Sequence, residues 1–222
     1  MWGFYFSELM HSLPFFLKGL WMTVAVSGLS LIAGTIVGFI LGIMRASDNK
    51  VLRSIIGVWV DLIRGTPFLV QVFIIFFILP SAGIELEAFP AAVIALTNLA
   101  ACFICEIVAG GILAVESGQI EAATASGLST FQQLRYIVLP QALRTILPPL
   151  VGQYVLIVKD SSVVSAIGVV DITRVGWLTV QRIPEGLMVF GLVGILYFVI
   201  CYPLINLSSY LEKRMTFAST RL

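Results

Sequence analysis

Apolar stretches long enough to cross a bilayer recur along this chain, and they decide its solvent. They run over about residues 20–44, 55–79, 91–115, 146–166 and 186–211. A helix needs roughly 20 apolar residues to cross the hydrocarbon layer, so five spans account for most of the chain. The composition agrees. Of 222 residues, 59% are apolar and 11% charged, with a mean hydropathy of +1.04. A soluble domain carries about a quarter charged residues. The net charge of +1 argues against a nucleic-acid partner.

Residues 1–17 lack the basic start of a signal peptide, and the apolar run that follows is too long for one. Trp2, Phe4, Tyr5 and Phe6 read as an aromatic interfacial anchor. Cys102 and Cys105 have the spacing of a redox or metal pair, but no histidine or second pair lies nearby. They and Cys201 read as small packing residues.

Gly34, Gly38 and Gly42 recur every four residues in the first span. They make a smooth stripe that another helix can approach closely, within this chain or in a second copy. The second span is interrupted by Asp61 and by Arg64-Gly65-Thr66-Pro67, which predicts a break or kink at Thr66. Residues 171–185 read as a polar loop. Arg45, Lys50, Arg53, Arg135, Arg144, Lys213, Arg214 and Arg221 cluster on one side of the spans, so that side is expected to be cytoplasmic. The N-terminus is then outside and the C-terminus inside. The expectation is one all-α integral membrane domain over residues 1–222.

The segment over about residues 116–144 is polar. Gln119 to Ser126 favours a helix, and Gly127 is placed to stop it. Ser129 and Gln132 have the spacing of a capping box opening a second helix. Pro140 is expected to end or kink that helix. Glu121 suits the positive end of the first helix. Ala122 and Ala123 are small enough to admit a partner surface, and Ile137 and Leu139 are placed to anchor the second helix on the spans.

Glu121-Ala122-Ala123, Gly127, Ile137, Leu139 and Pro140, at these offsets, resemble the cytoplasmic signature loop of ABC-importer permeases. Ile63 to Pro67, Lys159 to Ser162, Ile167-Gly168 and Thr173-Arg174 resemble the polar amino-acid uptake branch. The resemblance implies five spans and a pore of two permease subunits, like or unlike. It implies two ATPase subunits that carry ATP and magnesium, and an external solute-binding protein. It also implies a polar amino acid as cargo, and the bacterial inner membrane as the location. No cofactor is expected on this chain, and none of its four lysines lies in a phosphate loop. The sequence departs from the family pattern at Ala109, often basic, and at Val151-Gly152, often Gly-Asn.

Charges inside spans are costly, and they mark a pathway or a bonded structural group. Glu106 is read as mid-span and open to either role. Arg64 either pairs with Asp61, three residues earlier, or acts as a gate or fixes the loop, and with Thr66 it is counted on the substrate pathway. Lys159 and Asp160 are neighbours and would not face each other on a regular helix, so an unwound segment is expected there. Ser161 and Ser162 can bond the backbone groups freed by unwinding. With Gln153 these four residues are expected to line the substrate route, unless Lys159 marks the interfacial end of the span. An ion-coupled secondary transporter or channel is the alternative function, and it would have no use for the signature loop.

Overall fold

The computed structural model describes residues 2–219, and the expectations for Arg221 and for the side chain of Trp2 lie outside what it describes. Nine α-helices follow one another, and no strand occurs among the described residues. They are α1 (Trp2–Arg45), α2 (Lys50–Gly65), α3 (Phe68–Phe73), α4 (Ala88–Leu113), α5 (Ser117–Ala125), α6 (Thr130–Gln133), α7 (Leu139–Asp160), α8 (Ile172–Val180) and α9 (Gly186–Ser219). Among the described residues four helical stretches are long and apolar enough to cross a membrane, and five if the bent pair α2–α3 counts as one span.

α1 starts well before the apolar run that predicted it. Its 44 residues span roughly 66 Å, about twice the hydrocarbon thickness. The added turns have their own core. Leu9 and Phe16 pack with Ile172 and Val175 of α8 and with Val189 and Val193 of α9. Phe4 and Phe6 stay exposed, whereas Tyr5 between them is half-buried against this core.

The glycine stripe settles the packing of the main bundle. At Gly38 an added Cβ would lie 2.7 Å from Ile104 Cβ and 2.9 Å from the Ala101 carbonyl oxygen. At Gly34 it would lie 2.6 Å from Ala100 Cβ, and at Gly42 2.6 Å from Val108 Cβ. α1 therefore lies directly on α4 within one chain.

The break at Thr66 is present, and the two halves of the broken span bend by 105°. Pro67 is extended, with φ −61° and ψ 133°, and starts α3. The Gln71 side chain is buried at the bend and donates to the Ile63 carbonyl at 2.6 Å and the Thr66 carbonyl at 3.2 Å. It satisfies carbonyls that the broken helix leaves without N–H partners.

Pro140 does not end its helix. A wide turn over Leu134–Val138, closed by the Leu139 N–H on the Leu134 carbonyl, leads straight into α7. A proline cannot supply the N–H of an ordinary turn, and the wider turn lets the helix continue past it. The same solution occurs at Ile74–Ile78, where Leu79 bonds back to Ile74 just before Pro80.

The expected polar loop after residue 170 is largely α8. Asp171 caps it, accepting from the Arg174 N–H at 2.9 Å. Ile172, Val175, Gly176 and Thr179 form its buried face, a spacing of one helical stripe. Asp171 is itself 1% exposed. Tyr197 of α9 donates to its second oxygen at 3.2 Å, and the Ile172 N–H donates to the Thr23 hydroxyl of α1 at 3.2 Å. One polar cluster thus ties three helices together.

Burial pushes the Asp171 carboxyl above its ordinary range, and its hydrogen bonds only partly offset this. A raised acid binds its proton more tightly in the fold than in the unfolded chain. Its contribution to stability therefore weakens as pH climbs from the usual carboxylate range through the raised value. Asp171→Ala should lower stability by about 1–2 kcal/mol through loss of the cap. Asp171→Asn keeps a capping oxygen and should cost much less while removing that pH dependence. Thermal unfolding in detergent across pH tests both.

Candidate coupling elbow and charged pathway

The elbow is built from local bonds. α5 ends at Ala125 and is stopped by Gly127, whose φ of 77° favours glycine. The Leu128 N–H bonds the Ala123 carbonyl at 3.1 Å and the Gly127 N–H bonds the Thr124 carbonyl at 2.9 Å, the double closure of a Schellman stop. Ser129 and Gln132 then form the expected capping box and open α6. Gln133 donates to the Leu128 carbonyl at 2.8 Å and to the Thr124 hydroxyl at 3.1 Å. The turn between the two rods is therefore fixed by side chains as well as by backbone.

Glu121 and Ala122 are exposed, as a docking face requires, and Gly127 is exposed with them. Ala123 is not available to a partner, because it is buried within the chain at 5% exposure. Its small size instead lets α5 close on its own elbow. Ile137 and Leu139 are half-buried, and Val138 between them is fully buried. The anchoring edge thus includes a residue the sequence reading left out.

Two aromatic side chains on the elbow escaped it as well. Phe131 is 69% exposed and Tyr136 62%. Both are large groups left in the open on a polar projection, which makes them candidates for a contact surface. Their position in the polar segment was the available signal.

Glu106 ties three helices. Its carboxylate pairs with Arg45 at the end of α1 and with Arg64 at the end of α2, the latter at 3.3 Å. Arg64 also lies over the Phe103 ring, 5.3 Å from its centroid. The Asp61–Arg64 pair does not form, because Arg64 turns to the carboxylate of α4 instead. Glu106 is also not at mid-span. It lies seven residues before the end of α4 at Leu113, roughly 10 Å from the elbow side. Thr66 caps α2, and its hydroxyl donates to the Leu62 carbonyl at 2.9 Å and lies within reach of the Gln71 amide.

At the far end of α7 the helix changes type where the sequence marked it. The α-helix stops at Asp160, and Ser161–Ile167 form a tighter 3-10 helix. The expected unwinding is thus a tightening. Ser161 is buried and donates to the Val158 carbonyl at 2.7 Å. Lys159 is exposed, Asp160 and Ser162 are half-buried, and Gln153 is buried two turns earlier on α7. The structure therefore gathers these polar groups into two places. Arg64 and Glu106 lie toward the elbow end of α4, with Thr66 at the bend that follows Arg64. Gln153, Lys159, Asp160, Ser161 and Ser162 lie on the second half of α7 and its extension.

The family of binding-protein-dependent transport system inner membrane components matches residues 34–217. The glutamine transport system permease protein of Escherichia coli (strain K12) is 34% identical over 214 residues, covering 96% of this chain and 98% of its own. The L-cystine transport system permease protein of Bacillus subtilis (strain 168) is 34% identical over 203 residues, covering 91% of this chain and 87% of its own. A crystal structure of an amino acid ABC transporter with histidines superposes with a TM-score of 0.86. It is 32% identical and covers 94% of this chain and 98% of that one. The MetNI methionine ABC transporter in an inward-facing form shares the fold, with a TM-score of 0.77 and 23% identity over 91% of this chain and 97% of that one.

Proposed function

The chain belongs to the family of binding-protein-dependent transport system inner membrane components and is a multi-pass permease subunit of an ABC importer, and we propose that its cargo is a polar amino acid. The observation that carries the mechanism is the elbow. Glu121, Ala122, Phe131 and Tyr136 face outward on two short rods whose turn is locked by the Gly127 stop and the Ser129 capping box. A partner that seats on this face and moves would move α7 with it, because α6 runs without a break into α7.

In this reading a separate ATPase, holding ATP and magnesium, docks on the elbow. Two such subunits serve a pore of two permease chains. A solute-binding protein delivers the amino acid from the opposite face, which makes the elbow side and the C-terminus cytoplasmic. This chain hydrolyses nothing itself. The stroke switches the bundle between outward and inward openings. Glu106 holds α1, α2 and α4 together through Arg45 and Arg64, and its exposure partway to solvent suits a contact that is broken and remade. Gln153 and the Lys159–Ser162 segment line the route, where adjacent charges of opposite sign can meet the two ends of a zwitterion.

Two measurements test the reading. A cysteine placed at Ala122 should cross-link to the ATPase subunit in the assembled transporter, whereas the buried position 123 should not. Failure to capture any ATPase from position 122 would remove the docking assignment. For the route, Asp160→Asn and Lys159→Met should each reduce uptake at least tenfold, as expected when one polar partner of a bound ligand is lost; unchanged uptake in both would remove it. Glu106→Gln keeps the shape but releases both arginines. It should lower uptake in reconstituted vesicles while leaving the cross-link at position 122 intact.

A further inference from the structure

A groove of about 550 Å³ opens between α2 and α4 at the end where α4 runs into the elbow. One wall is a single stripe of α2 that carries Lys50, Arg53, Gly57 and Asp61, and the other includes Gly110 of α4. Gly57 and Gly110 add no side chain to this space, and a Cβ at either would meet nothing within 4 Å.

The charges in the groove are unevenly matched. Glu106 is already shared between Arg45 and Arg64. Asp61 sits eight residues beyond Arg53 along α2, roughly 12 Å away. Lys50 and Arg53 therefore have no ion pair among the described residues, and both are exposed. They also lie in the first turn of a 16-residue helix that has no acid there. Two cations at the positive end of a helix dipole repel it, and a bound anion would relieve the repulsion.

Beside these cations the same helix exposes Val51 (70%), Ile55 (64%) and Val58 (67%). An anionic head beside an aliphatic ridge, at a membrane surface, has the two-part chemistry of a phospholipid.

We propose that the groove between α2 and α4 binds the phosphate headgroup of an anionic membrane lipid through Lys50 and Arg53, with its acyl chains along Val51, Ile55 and Val58. The placement of the groove in the cytoplasmic leaflet rests on the transport reading above, but binding itself does not. A bound lipid here would brace α2 against α4 beside the Glu106 ion pairs.

The test uses the full chain assembled with its ATPase subunits, delipidated and then titrated with phosphatidylglycerol or phosphatidylcholine under native mass spectrometry. The wild type should retain phosphatidylglycerol in preference to phosphatidylcholine. Lys50→Gln with Arg53→Gln should lose that preference by about tenfold or more. The charge-keeping exchange Lys50→Arg with Arg53→Lys should retain it, and so should Lys213→Gln with Arg214→Gln, which removes two cations elsewhere. Equal retention by the wild type and the Lys50/Arg53 double variant would overturn the proposal. Displacement of the lipid by millimolar glycerol phosphate would overturn it too, by making the groove a site for soluble anions. A transporter that fails to take up amino acid yet keeps the lipid preference would refute the transport reading and leave this one standing.

Discussion

Ala122→Trp is expected to abolish ATP-driven uptake while leaving the protein folded. Ala122 is exposed on α5, next to Glu121, so a large ring there can extend into solvent. It would instead hold a docking partner away from the rods. Central contacts of an interface contribute about 2 kcal/mol or more each, so binding of the ATPase should weaken roughly 30-fold. Phe131→Ala should act in the same direction by removing a side chain that is 69% exposed and has no core role. Pull-down of the ATPase subunit and uptake in vesicles would be measured together. Uptake at the wild-type level in Ala122→Trp would show that the stroke does not pass through this face.

Gly38→Leu is expected to be the most damaging single change to the bundle. The first added carbon already lies 2.7 Å from Ile104 Cβ and 2.9 Å from a backbone oxygen. Backbone cannot step aside as a flexible side chain can, so α1 must separate from α4. Overpacking of this kind costs about 3 kcal/mol. For a chain of this size that corresponds to a fall of roughly 10 °C in the thermal midpoint, or to failure to accumulate in the membrane. Gly28→Ala is the matched comparison. Nothing lies within 4 Å of its added Cβ, and alanine favours a helix by up to about 1 kcal/mol over glycine. A midpoint for Gly38→Leu equal to the wild type would mean that the stripe does not hold α1 on α4.

Features fixed by neighbours in sequence are legible in the sequence alone. The Gly34, Gly38 and Gly42 stripe could be read because small residues four apart share a helix face whatever lies opposite. The stop at Gly127, the Ser129–Gln132 box and the break before Pro67 depend on a few adjacent residues, and each is present. What escaped was set by groups distant in the chain or by a backbone with more than one solution. Arg64 was open to the nearby Asp61, but Glu106 lies 42 positions on and reaches it from α4. Pro140 read as a stop or a kink, yet a single wide turn absorbs it and the helix continues. Ala123 read as partner-facing because its size is informative and its direction is not. α8 was missed because its apolar stripe is short and its cap, Asp171, is a charge that reads as loop until its buried partners are seen.

The most direct test of the account is uptake by purified permease in sealed vesicles, with and without the ATPase subunit, in the presence of ATP and the binding protein. The elbow and its exposed face predict amino-acid entry only when the ATPase and ATP are both present. Entry driven by an ion gradient in vesicles lacking the ATPase would contradict it.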